Sequence, residues 1–123
     1  MKENNISFDK FASISLLFDF YGNMLPERQR QAVELYYEEN LSLAEIADEF
    51  KISRQGVHDA LKNAEKALNE YENKLGLIER FQDTQQKIML VDKKLEKILD
   101  DNKESSILNQ ELQEIKDIID KIE

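Results

Sequence analysis

Two helix starts lie close together in residues 42–68, which read SLAEIADEFKISRQGVHDALKNAEKAL. Ser42 followed three positions later by Glu45 matches the capping box, in which each side chain accepts a hydrogen bond from the other residue's backbone N–H. Ser53 can cap a second helix soon after the first one ends. This spacing predicts a short helix, a three-residue turn at residues 51–53 and a second helix, which is the layout of a helix-turn-helix.

The apolar residues of this segment stand where such a motif needs them. Two helices that cross at a steep angle need a small residue where they touch, and Ala47 meets that need. The residues predicted to face the core are Leu43, Ile46, Phe50, Ile52, Val57 and Ala60. At about 100° per residue, one face of the second helix collects four apolar side chains: Val57, Leu61, Ala64 and Leu68. Its opposite face is polar: Gln55, His58, Asp59, Lys62 and Lys66.

That polar face is what a recognition helix presents to a major groove, with its N-terminal residues nearest the base edges. Arginine can donate two hydrogen bonds to guanine, glutamine can pair with adenine, lysine can pair with phosphate or guanine, and Asp59 could accept from cytosine. The predicted DNA-binding residues here are Ser53, Arg54, Gln55, His58 and Lys62. Arg28 and Arg30, near the start of the preceding helix, are predicted to hold phosphates. The simpler interpretation is a solvated helix surface.

No catalytic or metal-binding pattern accompanies this face. The sequence has no cysteine and a single histidine, so it can form neither a thiolate metal cluster nor a cysteine nucleophile. His58 has no partner at ligand spacing, and three glycines leave no room for a phosphate-cradling loop. We therefore predict a protein that is not an enzyme and that requires no cofactor and no metal.

The composition favours an all-α protein. The 123 residues carry a formal charge of −9 and include 41% hydrophobic residues, with only three glycines and one proline, which suits helices joined by short turns. No alternating strand pattern is present. The N-terminus lacks a signal sequence and no stretch is long and apolar enough to span a membrane, so we expect a soluble cytoplasmic protein.

Two helices are predicted before the motif. Residues 7–21 form an aromatic-rich first helix with Ser7 as its N-cap, and its aromatic side chains are expected to enter the core rather than to stack on bases. A second helix is predicted to start at Pro26, a residue suited to the first helical position, and to run to Asn40. These helices and the motif make up a helix-turn-helix domain at residues 1–75.

Residues 76–123 form a helical tail with heptad spacing. Apolar residues recur at alternating intervals of three and four in two stretches, Leu77, Phe81, Thr84, Ile88, Val91, Leu95 and Ile98, then Leu108, Leu112, Ile115, Ile119 and Ile122. A polar break at residues 101–106 separates the two. The tail either closes as a helical hairpin or forms a dimer interface, and we favour a homodimer because two narrow apolar stripes would otherwise leave much apolar surface exposed.

The motif resembles region 4 of sigma-70-type factors, a helix-turn-helix without a wing that reads a promoter element. The resemblance lies in LPERQR at residues 25–30, LSLAEIA at 41–47 and ISR at 52–54. With LFDFYG at 17–22, LYY at 35–37 and SRQGVHD at 53–59, the chain is more similar to the YlxM-like family of small bacterial helix-turn-helix proteins. That resemblance implies a DNA-binding regulatory protein associated with the signal recognition particle pathway.

Two features depart from the usual pattern. Lys51 stands where such turns commonly place glycine, at a position that often requires left-handed backbone geometry. Residues 26–70 contain 6 basic and 10 acidic residues, whereas an autonomous DNA-binding domain usually has a basic face. The main hypothesis is a dimeric, sequence-selective DNA-binding regulator. The rival is an adaptor that binds a protein or RNA component of the signal recognition particle through its acidic helices.

Overall fold

The fold is all-α in the computed structural model, which describes the backbone of residues 2–122 and the side chains of residues 10–122. Its helices are α1 (Lys2–Tyr21), α2 (Glu27–Val33), α3 (Leu43–Phe50), α4 (Arg54–Leu75), α5 (Leu77–Asp101) and α6 (Ser106–Asp120). A 3₁₀ turn, Gly22–Met24, follows α1, and a π-helical turn, Glu34–Glu38, follows α2. No strand occurs between residues 2 and 122, so the predicted fold class is confirmed.

The chain divides into two compact units, Met1–Ile78 and Glu79–Glu123. In the first, α4 supplies the centre of the core, because Val57, Leu61, Ala64 and Leu68 are all buried. This is the apolar face predicted for the second helix of the motif. The other helices close over it with the following buried residues: Ile14, Leu17 and Tyr21 from α1, Ala32 and Val33 from α2, and Ile46 and Ala47 from α3.

Local hydrogen bonds set the boundaries of the motif. The Ser42 Oγ accepts from the Glu45 N–H at 3.1 Å, and the Ser42 N–H donates to Glu45 Oε1 at 2.9 Å, which completes the predicted capping box. Lys51 ends α3 in the left-handed conformation, with φ 58° and ψ 45°, as its position predicted. Ser53 caps α4 by accepting from the Gly56 N–H at 3.0 Å. The prediction for Ile52 was wrong: its side chain is 40% exposed, because the turn lifts it away from the core.

The helices before the motif differ from the predicted boundaries. The first helix begins at Lys2 and not at Ser7, whose side chain, like that of Phe8, lies outside the described residues. Pro26 is the N-cap residue of α2 with an extended ψ of 147°, so the first helical residue is Glu27. The helical path then widens into the π turn and ends before Asn40, which adopts a left-handed φ of 57°.

The start of α5 is tied to the first unit. Gly76 ends α4 with a left-handed φ of 62°. The Tyr21 hydroxyl donates to Glu72 Oε1 and accepts from the Leu77 N–H at 3.1 Å. The same Glu72 oxygen accepts from the Ile78 N–H at 3.0 Å. Two N–H groups that begin a helix and lack intrahelical partners are therefore satisfied by side chains.

In the second unit, α5 and α6 fold back on each other. Leu95 and Leu112 are buried, and the Lys116 ammonium lies 4.0 Å from Asp92 and 3.8 Å from Glu96, both on α5. Asp92 is thus partly buried on the side of α5 that contacts α6. The seam prediction was wrong for the residues that are exposed: Leu77, Phe81, Thr84, Val91, Ile98, Ile115 and Ile122. Among the described residues, no helix combines the length and apolar character that crossing a bilayer would require.

Candidate nucleic-acid interface

The N-terminal half of α4 projects a polar face. All five predicted DNA-binding residues of this segment are exposed: Ser53, Arg54, Gln55, His58 and Lys62. Their opposite neighbours Val57, Leu61 and Ala64 are buried, so the helix is held from one side only. The capped N-terminus and the polar face are thus presented together, which is the arrangement that a recognition helix requires.

The start of α4 has the general features of an anion-binding helix end. Ser53 uses its hydroxyl and its carbonyl within the cap, since the Val57 N–H donates to Ser53 O at 3.1 Å. The positive end of the helix dipole lies here, beside the exposed Arg54. A β-carbon added at Gly56 would lie 3.3 Å from the Ser53 hydroxyl, so the glycine keeps the cap uncrowded. Phosphate oxygens are natural ligands of such a helix end.

The middle of the face contains one acidic residue between cationic ones. Asp59 Oδ1 accepts from Gln55 Nε2 at 2.9 Å and lies 3.7 Å from His58 Nδ1. These three side chains form a connected polar group on the outer side of α4. Lys62 follows at the next turn of the same helix.

The two arginines of α2 differ in their surroundings. The Arg28 guanidinium carbon lies 4.3 Å from the ring centroid of Phe50, the last residue of α3. This cation–π contact places Arg28 directly next to the turn of the motif while its side chain remains exposed. Arg30 is half-buried and lines a shallow groove that also includes Phe50. Of the pair, Arg28 is the more exposed, and it lies against the last residue of α3.

A partly buried network pairs one acidic residue of α4 with a cation. Glu65 Oε2 accepts from the Tyr37 hydroxyl at 2.7 Å, and Glu65 Oε1 lies 2.9 Å from the Lys10 ammonium. Burial, together with the hydrogen bond to Glu65, raises the pKa of Tyr37 well above its usual value. The carboxylate also raises the pKa of Lys10, so that ammonium stays charged. Glu65 is therefore compensated inside the domain.

Other acidic side chains lie on α3. Glu45, Asp48 and Glu49 are exposed there. Hydrogen bonds from the Ser42 backbone N–H and hydroxyl lower the pKa of Glu45, which keeps its carboxylate charged. No group of three His, Cys, Asp or Glu residues is arranged to hold a metal ion in the part of the chain that the structure describes.

The site therefore combines five predicted residues on one helix with Arg28 beside it. Sequence reasoning missed the hydrogen bond from Gln55 to Asp59, although a Gln–Asp pair four residues apart on a helix is a recognisable signal. It also missed the contact between Arg28 and Phe50, which joins residues far apart in the chain and has no local signal.

Known proteins resemble this chain over most of its length. The model of a family described as "Putative helix-turn-helix protein, YlxM / p13 like" matches residues 8–118. A UPF0122 protein of Desulforamulus reducens is 54% identical over 72 residues, which cover 58% of this chain and 62% of that protein. UPF0122 proteins of Bacillus mycoides and Bacillus thuringiensis are 39% and 38% identical over 115 residues, 94% of this chain and 98% of each relative.

Proposed function

Because the chain belongs to the YlxM/p13-like family of helix-turn-helix proteins, we propose that it is a sequence-selective DNA-binding regulator whose residues 53–66 enter a major groove. The observation that carries this proposal is the exposed polar face of α4, which begins at a capped helix N-terminus and is backed by a buried apolar face. A helix needs exactly this division in order to be held by the domain and still reach base edges.

Each residue has a role that fits its position. Arg54 and Gln55 lie in the first turn of α4, nearest the bases, where arginine selects guanine and glutamine selects adenine. Ser53 and the first N–H groups face a phosphate. Arg28, Arg30 and Lys62 hold the backbone on either side, and His58 lies between the two groups.

The charge balance sets the expected strength of binding. Three phosphate contacts from Arg28, Arg30 and Lys62 give a slope of about −3 in a plot of log K against log salt concentration. The acidic residues on α3 oppose this attraction at long range. Binding therefore depends on base contacts more than it does in a strongly basic domain.

A salt titration on promoter-length duplex DNA tests the proposal. The affinity of the full chain should fall as salt rises, and the double variant Arg54→Ala with Lys62→Ala should bind at least tenfold more weakly. Lys97→Ala, which removes an exposed cation from α5, is the matched control and should leave the affinity unchanged. Affinity that is independent of salt, or equal in the double variant and the control, contradicts DNA binding by α4.

We also propose that residues 1–75 contact DNA while residues 76–123 pair two copies of the chain. Support comes from large apolar side chains that are more than half exposed in the second unit: Met89, Leu90, Ile107 and Ile118. A dimer would place two recognition helices at half-sites about one helical turn of DNA apart. The mass in solution should be that of two chains, and Ile107→Asp with Ile118→Asp should reduce it to one, whereas Lys97→Ala should not.

The exposed acidic side of α3 favours a second candidate, an adaptor for the signal recognition particle, the pathway that the YlxM-like resemblance implies. Carboxylates at Asp48 and Glu49 could contact a basic surface of a protein that normally binds RNA. Either role belongs in the cytoplasm. Pull-down with the particle's purified GTPase and RNA at low salt tests this candidate. Asp48→Asn with Glu49→Gln should weaken the complex, Glu104→Gln with Glu111→Gln should not, and the absence of any complex excludes it.

A further inference from the structure

The hydrogen bond between Gln55 and Asp59 gives the face of α4 a defined pattern of donors and acceptors. One N–H of the Gln55 amide is donated to Asp59 Oδ1 at 2.9 Å, and this hydrogen bond restricts the orientation of the amide. Both side chains are exposed, and the Gln55 side chain makes no other hydrogen bond within the part of the chain that the structure describes. Its carbonyl oxygen and second N–H are therefore available to a ligand.

This arrangement matches particular base edges. A glutamine that offers one acceptor and one donor side by side is complementary to N6 and N7 of adenine. The second oxygen of Asp59 adds an acceptor next to that pair. An ionised carboxylate accepts hydrogen bonds and donates none, so it can pair with an exocyclic amino group but meets only acceptors on guanine, at O6 and N7.

We infer that Gln55 and Asp59 act as one base-reading unit that selects exocyclic amino groups in the major groove, the N6 of adenine and the N4 of cytosine, and that rejects guanine. Asp59 is in this view a specificity-determining residue, because it fixes the amide of Gln55 and excludes guanine at the neighbouring position. The inference rests on the proposed entry of α4 into DNA.

The cost of a carboxylate in this place supports a selective role. Two acidic residues lie in the segment proposed to enter DNA, Asp59 and Glu65. Glu65 is paired with Lys10 and Tyr37, so Asp59 is the carboxylate that would face the groove. A negative charge there repels every phosphate equally and weakens binding to all sequences. A carboxylate oxygen that accepts from a base amino group offsets this repulsion only on the matching sequence. The difference in affinity between matching and other DNA sequences therefore increases.

Selection from a randomised duplex library tests the inference with the full chain and two variants. Asp59→Asn keeps an oxygen that can accept from Gln55 but adds an N–H₂ group that can donate to guanine. Asp59→Ala removes the group that orients Gln55. Glu70→Gln is the matched control, because it removes one exposed negative charge from α4 beyond residues 53–66 and leaves the pair intact.

The expected result is a site with adenine at one position and adenine or cytosine at its neighbour for the wild type and for Glu70→Gln. Replacing the neighbouring base by guanine in that site should weaken wild-type binding about tenfold, measured by fluorescence anisotropy. The same replacement should change the affinity of Asp59→Asn less than threefold, and Asp59→Ala should select adenine less strongly. Circular dichroism of both variants should match that of the wild type.

The outcomes distinguish failure of DNA binding by α4 from failure of base selection by Gln55 and Asp59. If the wild type shows no salt-dependent binding to any duplex, DNA binding by α4 fails and the inference fails with it. If the wild type binds in a salt-dependent manner but selects no base at these positions, only the inference is overturned. Retention of the full discrimination against guanine by Asp59→Asn also overturns it, because the carboxylate would then have no part in reading the base.

Discussion

Replacing Tyr37 by phenylalanine should lower the free energy of unfolding by about 2 kcal/mol. The ring of Tyr37 is 6% exposed and packs edge to face on Phe11 with centroids 4.8 Å apart, so the ring contacts survive the change. What is lost is the hydroxyl that donates to Glu65 at 2.7 Å. Hydrogen bonds to a charged partner contribute roughly 1.5–3 kcal/mol, and the Glu65 side chain, 12% exposed, admits only limited water as a replacement.

Urea unfolding followed by far-ultraviolet circular dichroism measures this loss. With a slope near 2 kcal/mol per molar urea, about 2 kcal/mol shifts the midpoint by about 1 M. Tyr71→Phe is the matched control, because it removes a hydroxyl whose exposed hydrogen bond to the Met24 carbonyl is 3.2 Å long. This variant should lose about 0.5 kcal/mol of unfolding free energy.

Equal midpoint shifts in the two variants would refute the reasoning. That result would mean that Glu65 is compensated by the Lys10 ammonium at 2.9 Å and by water, and that the phenol contributes nothing beyond an ordinary surface hydrogen bond. A change in slope instead of midpoint would indicate an altered native or unfolded state and would not count as the predicted loss.

Three further outcomes follow from the same structure. The raised pKa of Tyr37 means that the folded state binds the phenol proton more tightly than the unfolded state does. The resulting contribution to stability is complete below about pH 10 and declines above it. Between about pH 9 and about pH 11, the urea midpoint of Tyr37→Phe should therefore fall less steeply than that of the wild type. Ser53→Ala should lower the free energy of unfolding by about 1 kcal/mol through loss of the α4 cap, and Ser53→Asp should restore it in thermal unfolding. Lys51→Gly should raise the unfolding free energy by roughly 0.5–1 kcal/mol, because Lys51 has a φ of 58°, whereas Lys51→Ala should not raise it.

The motif was predictable because its determinants are local. A capping box joins residues three apart, and Ser53 caps a backbone N–H three residues away, so both hydrogen bonds can be inferred from spacing alone. The buried face of α4 follows from helical periodicity in the same way. The exposure of Ile52 could not be inferred, because it depends on how the turn places one residue relative to the core.

The tail shows where a purely apolar pattern fails. The predicted seam of α5 included Val91 and Ile98, but the half-buried position beside α6 is occupied by Asp92. Its partner Lys116 lies on the other helix, and the hydrogen bond that protonated Asp92 donates to Asp120 raises the pKa of Asp92. In a straight helix, positions seven residues apart do not stay on one line along the surface. A charged residue can therefore lie on the side that faces the neighbouring helix when an oppositely charged residue pairs with it. The spacing of apolar residues alone does not predict that a charged residue will take a partly buried position.

The exposure of Arg54, Gln55, His58 and Lys62 was predictable from the sequence, but the surroundings of the acidic residues of α4 were not. In the net charge of residues 26–70, Asp59 and Glu65 each contribute one negative charge that opposes DNA binding. In the structure, their surroundings differ. Glu65 is paired with the Lys10 ammonium and the Tyr37 hydroxyl, so its charge is compensated within the domain. Asp59 stays exposed and orients Gln55. Under the proposed DNA binding, an acidic domain loses non-specific attraction to phosphates while its base contacts are unaffected, so the ratio of specific to non-specific affinity should be wider than in a basic domain.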